Sequence, residues 1–337
     1  MITAAQLKTL AEVATEFCSA AMELTSRGNI QLRGITDPVA VSHRIGAAGL
    51  LPSTTHERVR NIVASPLSGR AGGLRDVRGW VADLDAAIQA EPTLSALPGR
   101  FWFGIDDGRG DVSGLGADAG VHVLDNAAAL LLAGRDTGVR LQFTDIVATL
   151  VRLAARFSAV REKAWRVNEL SDFGPLLDGM RVTAQPRTPS PPVTRPPVGW
   201  IPQDDGRIAL GAAVPLGVLP ARVAEFLAAI ESPMTITPWR SVLVCDLDEF
   251  VADTALRVLA PLGLVFDENS PWLNVSSCTG RPGCAHSRAD VRAHAREAAG
   301  DVSGGHRHYV GCERACGSGP GDEVLVATGD GYRRLRP

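Results

Sequence analysis

Two short stretches hold the residue types best suited to chemistry. SSCTGRPGCAHSR (Ser276–Arg288) places Cys278 and Cys284 five residues apart, and GCERACGSG (Gly311–Gly319) places Cys312 and Cys316 three apart. The pairs are separated by 27 residues, and the chain has only six cysteines. Four clustered thiolates suit a soft metal or an iron–sulfur cluster. A single structural zinc is the alternative, but zinc knuckles use C-x2-C to C-x4-C spacing and the first pair is wider. Gly280, Gly283, Gly317 and Gly319 leave nearby backbone N–H groups free to approach sulfide, which favours a [4Fe-4S] cluster. Cys18, in an expected helix, and Cys245, in an apolar run, read as packed small residues.

A second polar pattern lies near the N-terminus. In LTSRGNIQLRGI (Leu24–Ile35), Arg27, Asn29, Gln31 and Arg33 alternate with Gly28, Ile30, Leu32 and Gly34, the period of a strand with one polar face. Alternation alone leaves open whether that face meets solvent or lines a site. Lys8 and Lys163 are the only lysines, so nearly every cation is an arginine, suited to forking onto carboxylates or phosphates. No G-x-G-x-x-G convincingly follows a strand, and GDVSGLGADAG (Gly110–Gly120) reads as a turn. His286, His294, His306 and His308 are candidate ligands by proximity to the cysteines alone, and the HRH of His306–His308 reads as a strand start.

The elements that must position these residues fit a chain of 337 residues, long enough for two or more domains. Net charge of −3 argues against a partner bound by phosphate neutralisation, such as nucleic acid. No stretch reads as membrane-spanning or as a secretory signal, so the expected setting is the cytoplasm, where a disulfide framework is not expected. Thr3 and Gln6 form a capping box for a helix expected through about Glu23, and Asp37-Pro38 caps another through about Gly49. QPRTPSPPVTRPP (Gln185–Pro197) reads as an extended linker. The sequence on its two sides is similar. MELTSRGNIQL from Met22 matches MTITPWRSVLV from Met234, Ser65 falls opposite Cys278, and FWFGIDDGRG from Phe101 lines up with HYVGCERACG from His308, with Ile105 opposite Cys312. This predicts an internal duplication with a pseudo-twofold axis, only the second copy keeping the cysteines.

C-x5-C…C-x3-C in a duplicated chain resembles the siroheme nitrite and sulfite reductase superfamily over essentially the whole length. Within it, LTSRGNIQLRGI, GLLPSTTHERVRNIVASPLSG, LPGRFWFGIDDGRGD, LNVSSCTGRPGCAHSRAD and VGCERACGS are similar to the precorrin-3B synthase family. The resemblance implies an α/β (α+β) fold in two pseudo-twofold halves, each a ferredoxin-like half-domain followed by a reductase-type α/β unit. The expected boundaries are 1–66 and 67–184 for the first copy, a linker at 185–200, and 201–259 and 260–337 for the second. It implies that Cys278, Cys284, Cys312 and Cys316 bind a [4Fe-4S] cluster. It also implies that Arg27, Asn29, Gln31, Arg33, Arg60 and Arg100 face the carboxylates of a tetrapyrrole, precorrin-3A, in a cavity between the halves. Arg281 and Arg288 lie close to the cysteines.

The implied reaction is an oxygen-dependent hydroxylation with lactone closure, in aerobic cobalamin biosynthesis. It would use O2 and NADH-derived electrons from an external donor or reductase, and O2 chemistry of this kind usually uses a metal or flavin, such as a mononuclear non-haem iron. Two departures from the reductases count against siroheme. Glu313 stands where they carry a proline after the third cysteine, and Arg100 and Trp102 stand where they carry a lysine pair. Family members also have more chain before the first helix, including an Arg-containing P-G-G segment, with no counterpart before Met1-Ile2-Thr3. The alternatives are a siroheme-dependent sulfite or nitrite reductase, and an iron–sulfur electron carrier or regulator.

Overall fold

The computed structural model describes residues 1–51, 53–300 and 305–336. Helix α1 (Ala4–Phe17) opens on the reciprocal Thr3–Gln6 capping box. It is shorter than its apolar pattern suggests, because Cys18 leaves the helix as its C-cap and Ala20 adopts φ +55°. The chain then forms β1 (Ala21–Leu24), whose Met22 and Leu24 are buried, and β2 (Ile30–Leu32). The polar stretch is therefore an antiparallel hairpin, with Met22 opposite Leu32, and not one strand. Asp37 caps α2 (Pro38–Ala47) through its side chain.

The next segment builds one sheet in the order β3-β4-β5-β6-β7. Its strands are β3 (Ile62–Ala64), β4 (Phe103–Asp106), β5 (Ala119–Val123), β6 (Ala128–Leu132) and β7 (Arg135–Leu141), with α3 (Arg78–Ala90) between β3 and β4. Helices α4 (Ile146–Val160) and α5 (Gly174–Leu177) follow, and Phe101 packs edge-on to Phe103 and tilted against Phe157 in the core.

Beyond the Pro-rich segment come β8 (Gly199–Pro202), which starts inside the span read as linker, then β9 (Ile208–Ala213), β10 (Val218–Pro220) and α6 (Ala221–Ala228). The hairpin β11 (Met234–Ile236) and β12 (Ser241–Leu247) leads into α7 (Glu249–Leu259). The last part holds β13 (Val275–Ser277), α8 (Val291–Ala298), β14 (Arg307–Val310), β15 (Glu323–Ala327) and β16 (Tyr332–Arg336). No helix of the described residues is long and apolar enough to cross a membrane.

Contacts divide the chain into two compact units: Met1–Leu51 with Thr194–Pro337, and Pro52–Val193. In the first unit, the N-terminal helix and hairpin pack against β8 to α7. Helices α1 and α6 share one core through Leu7, Leu10, Val223 and Leu227. The strand pairing is reciprocal: Ile2, before α1, bridges Met234, while Leu219, before α6, pairs with Met22, after α1.

The duplication is written in the hydrogen bonds. The turn Thr25–Asn29 closes with Thr25 N–H to the Asn29 carbonyl (2.9 Å) and Gly28 N–H to the Thr25 carbonyl (3.1 Å). The turn Thr237–Ser241 repeats both bonds, Thr237 to Ser241 at 3.0 Å and Arg240 to Thr237 at 3.2 Å, as the offset from Met22 to Met234 predicts. The parallel pair β4–β5 and the antiparallel pair β5–β6 recur as β14–β15 and β15–β16: Ile105 pairs with Val121 and Val121 with Leu130, as Tyr309 pairs with Leu325 and Leu325 with Arg334. This register corrects the sequence matching by three residues, placing Ile105 opposite Tyr309 and Gly108 opposite Cys312.

Candidate cluster-binding site

Strands β13 and β14 run parallel, with α8 in the crossover between them. Loops leaving the carboxyl ends of adjacent parallel strands open at the same edge, where α/β sheets place their sites. Cys278 leaves β13 and Cys312 follows β14 by two residues, so topology brings together the pairs that sequence separates. The Cys278 N–H donates to the Tyr309 carbonyl (2.9 Å), and the Gly311 N–H donates to Cys278 Sγ (3.3 Å). Copy one keeps this bond with oxygen for sulfur: the Asp107 N–H donates to Ser65 Oγ (3.1 Å). Ser65 thus occupies the position of Cys278, as the sequence match predicts.

The loop between Cys278 and Cys284 folds back on itself. Gly280 takes φ +68°, and Arg281 Nε donates to the Ser287 carbonyl (2.7 Å). The Arg288 N–H reaches the Gly311 carbonyl (3.0 Å), tying the two cysteine loops together. Arg281 therefore holds the loop. Burial raises the Cys278 thiol pKa, the nearby Cys316 and Cys284 raise it further, and the Gly311 and Gly280 N–H groups oppose them. Four coordinating thiols would release their protons on binding a metal.

Below Cys316 the backbone is clamped by buried polar groups. His308 Nε2 lies 3.0 Å from the Cys316 carbonyl, and His308 Nδ1 lies 2.6 Å from Ser276 Oγ. Burial, then the charge of Arg240, pushes His308 down to about 3, so the ring is neutral. A neutral imidazole donating to a carbonyl from Nε2 accepts the serine proton at Nδ1. Arg240 donates to the Gly317 carbonyl (2.5 Å). Asp322 accepts from the Gly319 N–H (2.5 Å) and pairs with His306 (2.8 Å).

Four thiols, three half-buried and that of Cys316 exposed, with backbone N–H donors and apolar neighbours at Cys278, could hold a soft metal centre. A lone tetrahedral zinc, at about 2.3 Å from each sulfur, would draw the sulfurs to within about 4 Å of one another. Among the described residues no three of these sulfurs meet within 4.8 Å. Cys18 is half-buried and Cys245 is fully buried in β12, both as packed residues.

The polar hairpin reaches this site through a residue that sequence reading missed. Glu23 on β1 accepts from Thr279, next to Cys278 (3.0 Å), and pairs with Arg33 (2.7 Å) and with Arg292 on α8 (2.6 Å). Burial raises the Glu23 pKa, but these two arginines outweigh it and hold the carboxyl below its ordinary value. Arg33 also donates to Gln31 (3.1 Å). Gln31 and Asn29 are exposed and Arg27 is half-buried. Arg60 and Arg100 belong to the other unit, where Arg60 forks onto Asp85 (2.6 and 2.7 Å) and Arg100 is exposed. Trp102 is buried against Val63, Val112 and Ala117, a core residue rather than a site residue.

The histidines near the cysteines are mostly committed: His294 to the Tyr332 hydroxyl, His306 to Asp322 and His308 to Ser276. No two-histidine, one-carboxylate set meets within 4.8 Å among the described residues. The group that does meet is Asp106, Asp107 and Asp111, in the copy-one counterpart of the second cysteine loop. Asp106 is saturated by N–H groups of Gly108, Gly110, Val112 and Ser113, and Arg109 forks onto Asp107 (2.9 and 2.7 Å).

Comparison with known proteins agrees with this architecture. Residues 1–39 match the nitrite/sulfite reductase ferredoxin-like half domain. The solved structure of the Mycobacterium tuberculosis NirA protein superposes with a TM-score of 0.82 at 18% identity, over 99% of this chain and 75% of that one. The chain therefore shares the fold of that solved structure, and its first 39 residues carry the pattern of the half domain. A curated relative in Sinorhizobium sp, a precorrin-3B synthase, is 25% identical over 98% of this chain and 76% of its own length. The matched residues 1–39 lie in the segment that packs against β8 to α7.

Proposed function

We propose that the chain is a precorrin-3B synthase: an iron–sulfur oxidoreductase that hydroxylates a reduced tetrapyrrole with O2 and closes a lactone. The observation that carries the reading is the convergence of both cysteine loops at one edge of the β13–β14 sheet, in a chain similar along its length to a named synthase. Cys278, Cys284, Cys312 and Cys316 would hold a [4Fe-4S] cluster, which supplies single electrons. In the overall balance one oxygen atom of O2 enters the substrate and the other leaves as water. Two electrons come from an external, NADH-linked donor.

The chain's own groups then have definite tasks. Gly311 and Gly280 direct N–H groups at the sulfur of Cys278. Arg281 holds its loop closed. Arg27, Asn29, Gln31 and Arg33 would receive substrate carboxylates, with Glu23 fixing the Arg33 guanidinium. Arg100 is a further candidate. Arg60 contributes only by exchanging Asp85 for a substrate carboxylate, since Asp85 already occupies its fork.

The test is turnover of precorrin-3A under 18O2 with a reducing system, read by mass spectrometry. One labelled oxygen in the product, from protein lacking siroheme absorption, is the expected result. Siroheme bands with sulfite or nitrite reduction would replace this reading by a reductase.

A further inference from the structure

The two copies of the hairpin turn differ at one position in a way that backbone chemistry does not favour. Gly28 takes φ +67° in the first turn. Its counterpart in the second is Arg240, at φ +56°, where a side chain is disfavoured. An unfavourable backbone retained where glycine serves the sister turn points to a task for the side chain.

That side chain fills a prepared slot. A Cβ added at Gly217 would lie 2.7 Å from Arg240 Cδ, and one added at Gly317 would lie 2.6 Å from its terminal nitrogen. Glycines on both sides therefore let the arginine pass. Its guanidinium ends on the Gly317 carbonyl at 2.5 Å, one residue beyond Cys316. The neighbouring Cys316 carbonyl is held by His308, and the charge also lies near Cys278 and Asp322.

We infer that Arg240 is a positioning residue for the cysteine site: it fixes the backbone after Cys316 and keeps a permanent cation near Cys278, raising the reduction potential of the cluster the four cysteines would hold. This rests on the reading that the four cysteines bind a cluster. A cation stabilises the more negative, reduced state, and arginine does not discharge when buried.

The test uses the full chain with its cluster assembled anaerobically, comparing wild type, Arg240→Gly and Arg240→Lys. The readouts are thermal midpoint, iron and sulfide content, EPR spectrum and midpoint potential. The glycine variant, matching the sister turn, should fold as well as wild type. Its reduction equilibrium should shift about tenfold toward the oxidised form, about 59 mV for one electron. The lysine variant should recover most of that shift. An unchanged potential and EPR spectrum in the glycine variant would overturn the inference, whatever its thermal midpoint. If the glycine variant loses its iron, retention in the lysine variant supports the inference and loss in both overturns it. Wild-type protein that assembles no iron and sulfide would instead refute the cluster reading on which the inference stands.

Discussion

At the scale of single residues, the six cysteines divide by environment. Replacing Cys278, Cys284, Cys312 or Cys316 with serine should abolish stable iron and sulfide binding, while Cys18→Ser should leave metal content unchanged. Cys245→Ser should cost about 1–3 kcal/mol of stability by burying a hydroxyl, without loss of iron. Iron analysis and denaturant unfolding would check both. Glu23 gives a second expectation. Its carboxyl is held below its ordinary pKa, so its stabilisation is fully present above the unfolded-state value and is lost as pH falls through the folded value. Glu23→Gln should therefore cost about 1–3 kcal/mol at pH 7 and progressively less on acidification. An equal cost at all pH values would contradict the role assigned to Arg33 and Arg292. The cysteines were legible because four thiols at fixed spacing have few uses. Glu23 was not, because its partners Thr279 and Arg292 lie more than two hundred residues away in the chain.

At the scale of elements, apolar periodicity identified α1 but overran its end. The residues after Phe17 continue an apolar pattern, while the extended backbone of Cys18 and the positive φ of Ala20 make the break. The alternation from Leu24 to Ile35 was real, yet the Thr25–Asn29 turn folds it into a hairpin, as the same turn does from Thr237. The duplication was legible in order but not in register, since three residues separate the sequence match from the structural correspondence of β4 with β14. The Asp106–Asp111 loop, overlooked as chemistry, carries an expectation of its own. Burial, joined by the charges of Asp106 and Asp107, pushes Asp111 up to about 6 against the opposing bond from Ser65. A raised carboxyl keeps its proton in the folded state after the unfolded chain has released it, so its contribution falls as pH rises from about 4 to 6. Unfolding measured from pH 4 to 7 should show wild type losing stability relative to Asp111→Asn across that window, by up to about 3 kcal/mol. A constant difference between the two proteins would show that Asp111 titrates normally.

At the scale of the whole molecule, the Pro-rich segment was visible because neither helix nor central strand tolerates its composition. It does not separate two sequential halves of structure, because Met1–Leu51 folds with Thr194–Pro337. No local pattern signals that pairing; it depends on Ile2 meeting Met234 and Met22 meeting Leu219 across the chain. What the convergent cysteine loops hold is measured most directly as iron, zinc and acid-labile sulfide per chain in anaerobically prepared protein. Four irons and four sulfides per chain, lost together in Cys316→Ser, are the predicted result. One zinc per chain with no sulfide would contradict it.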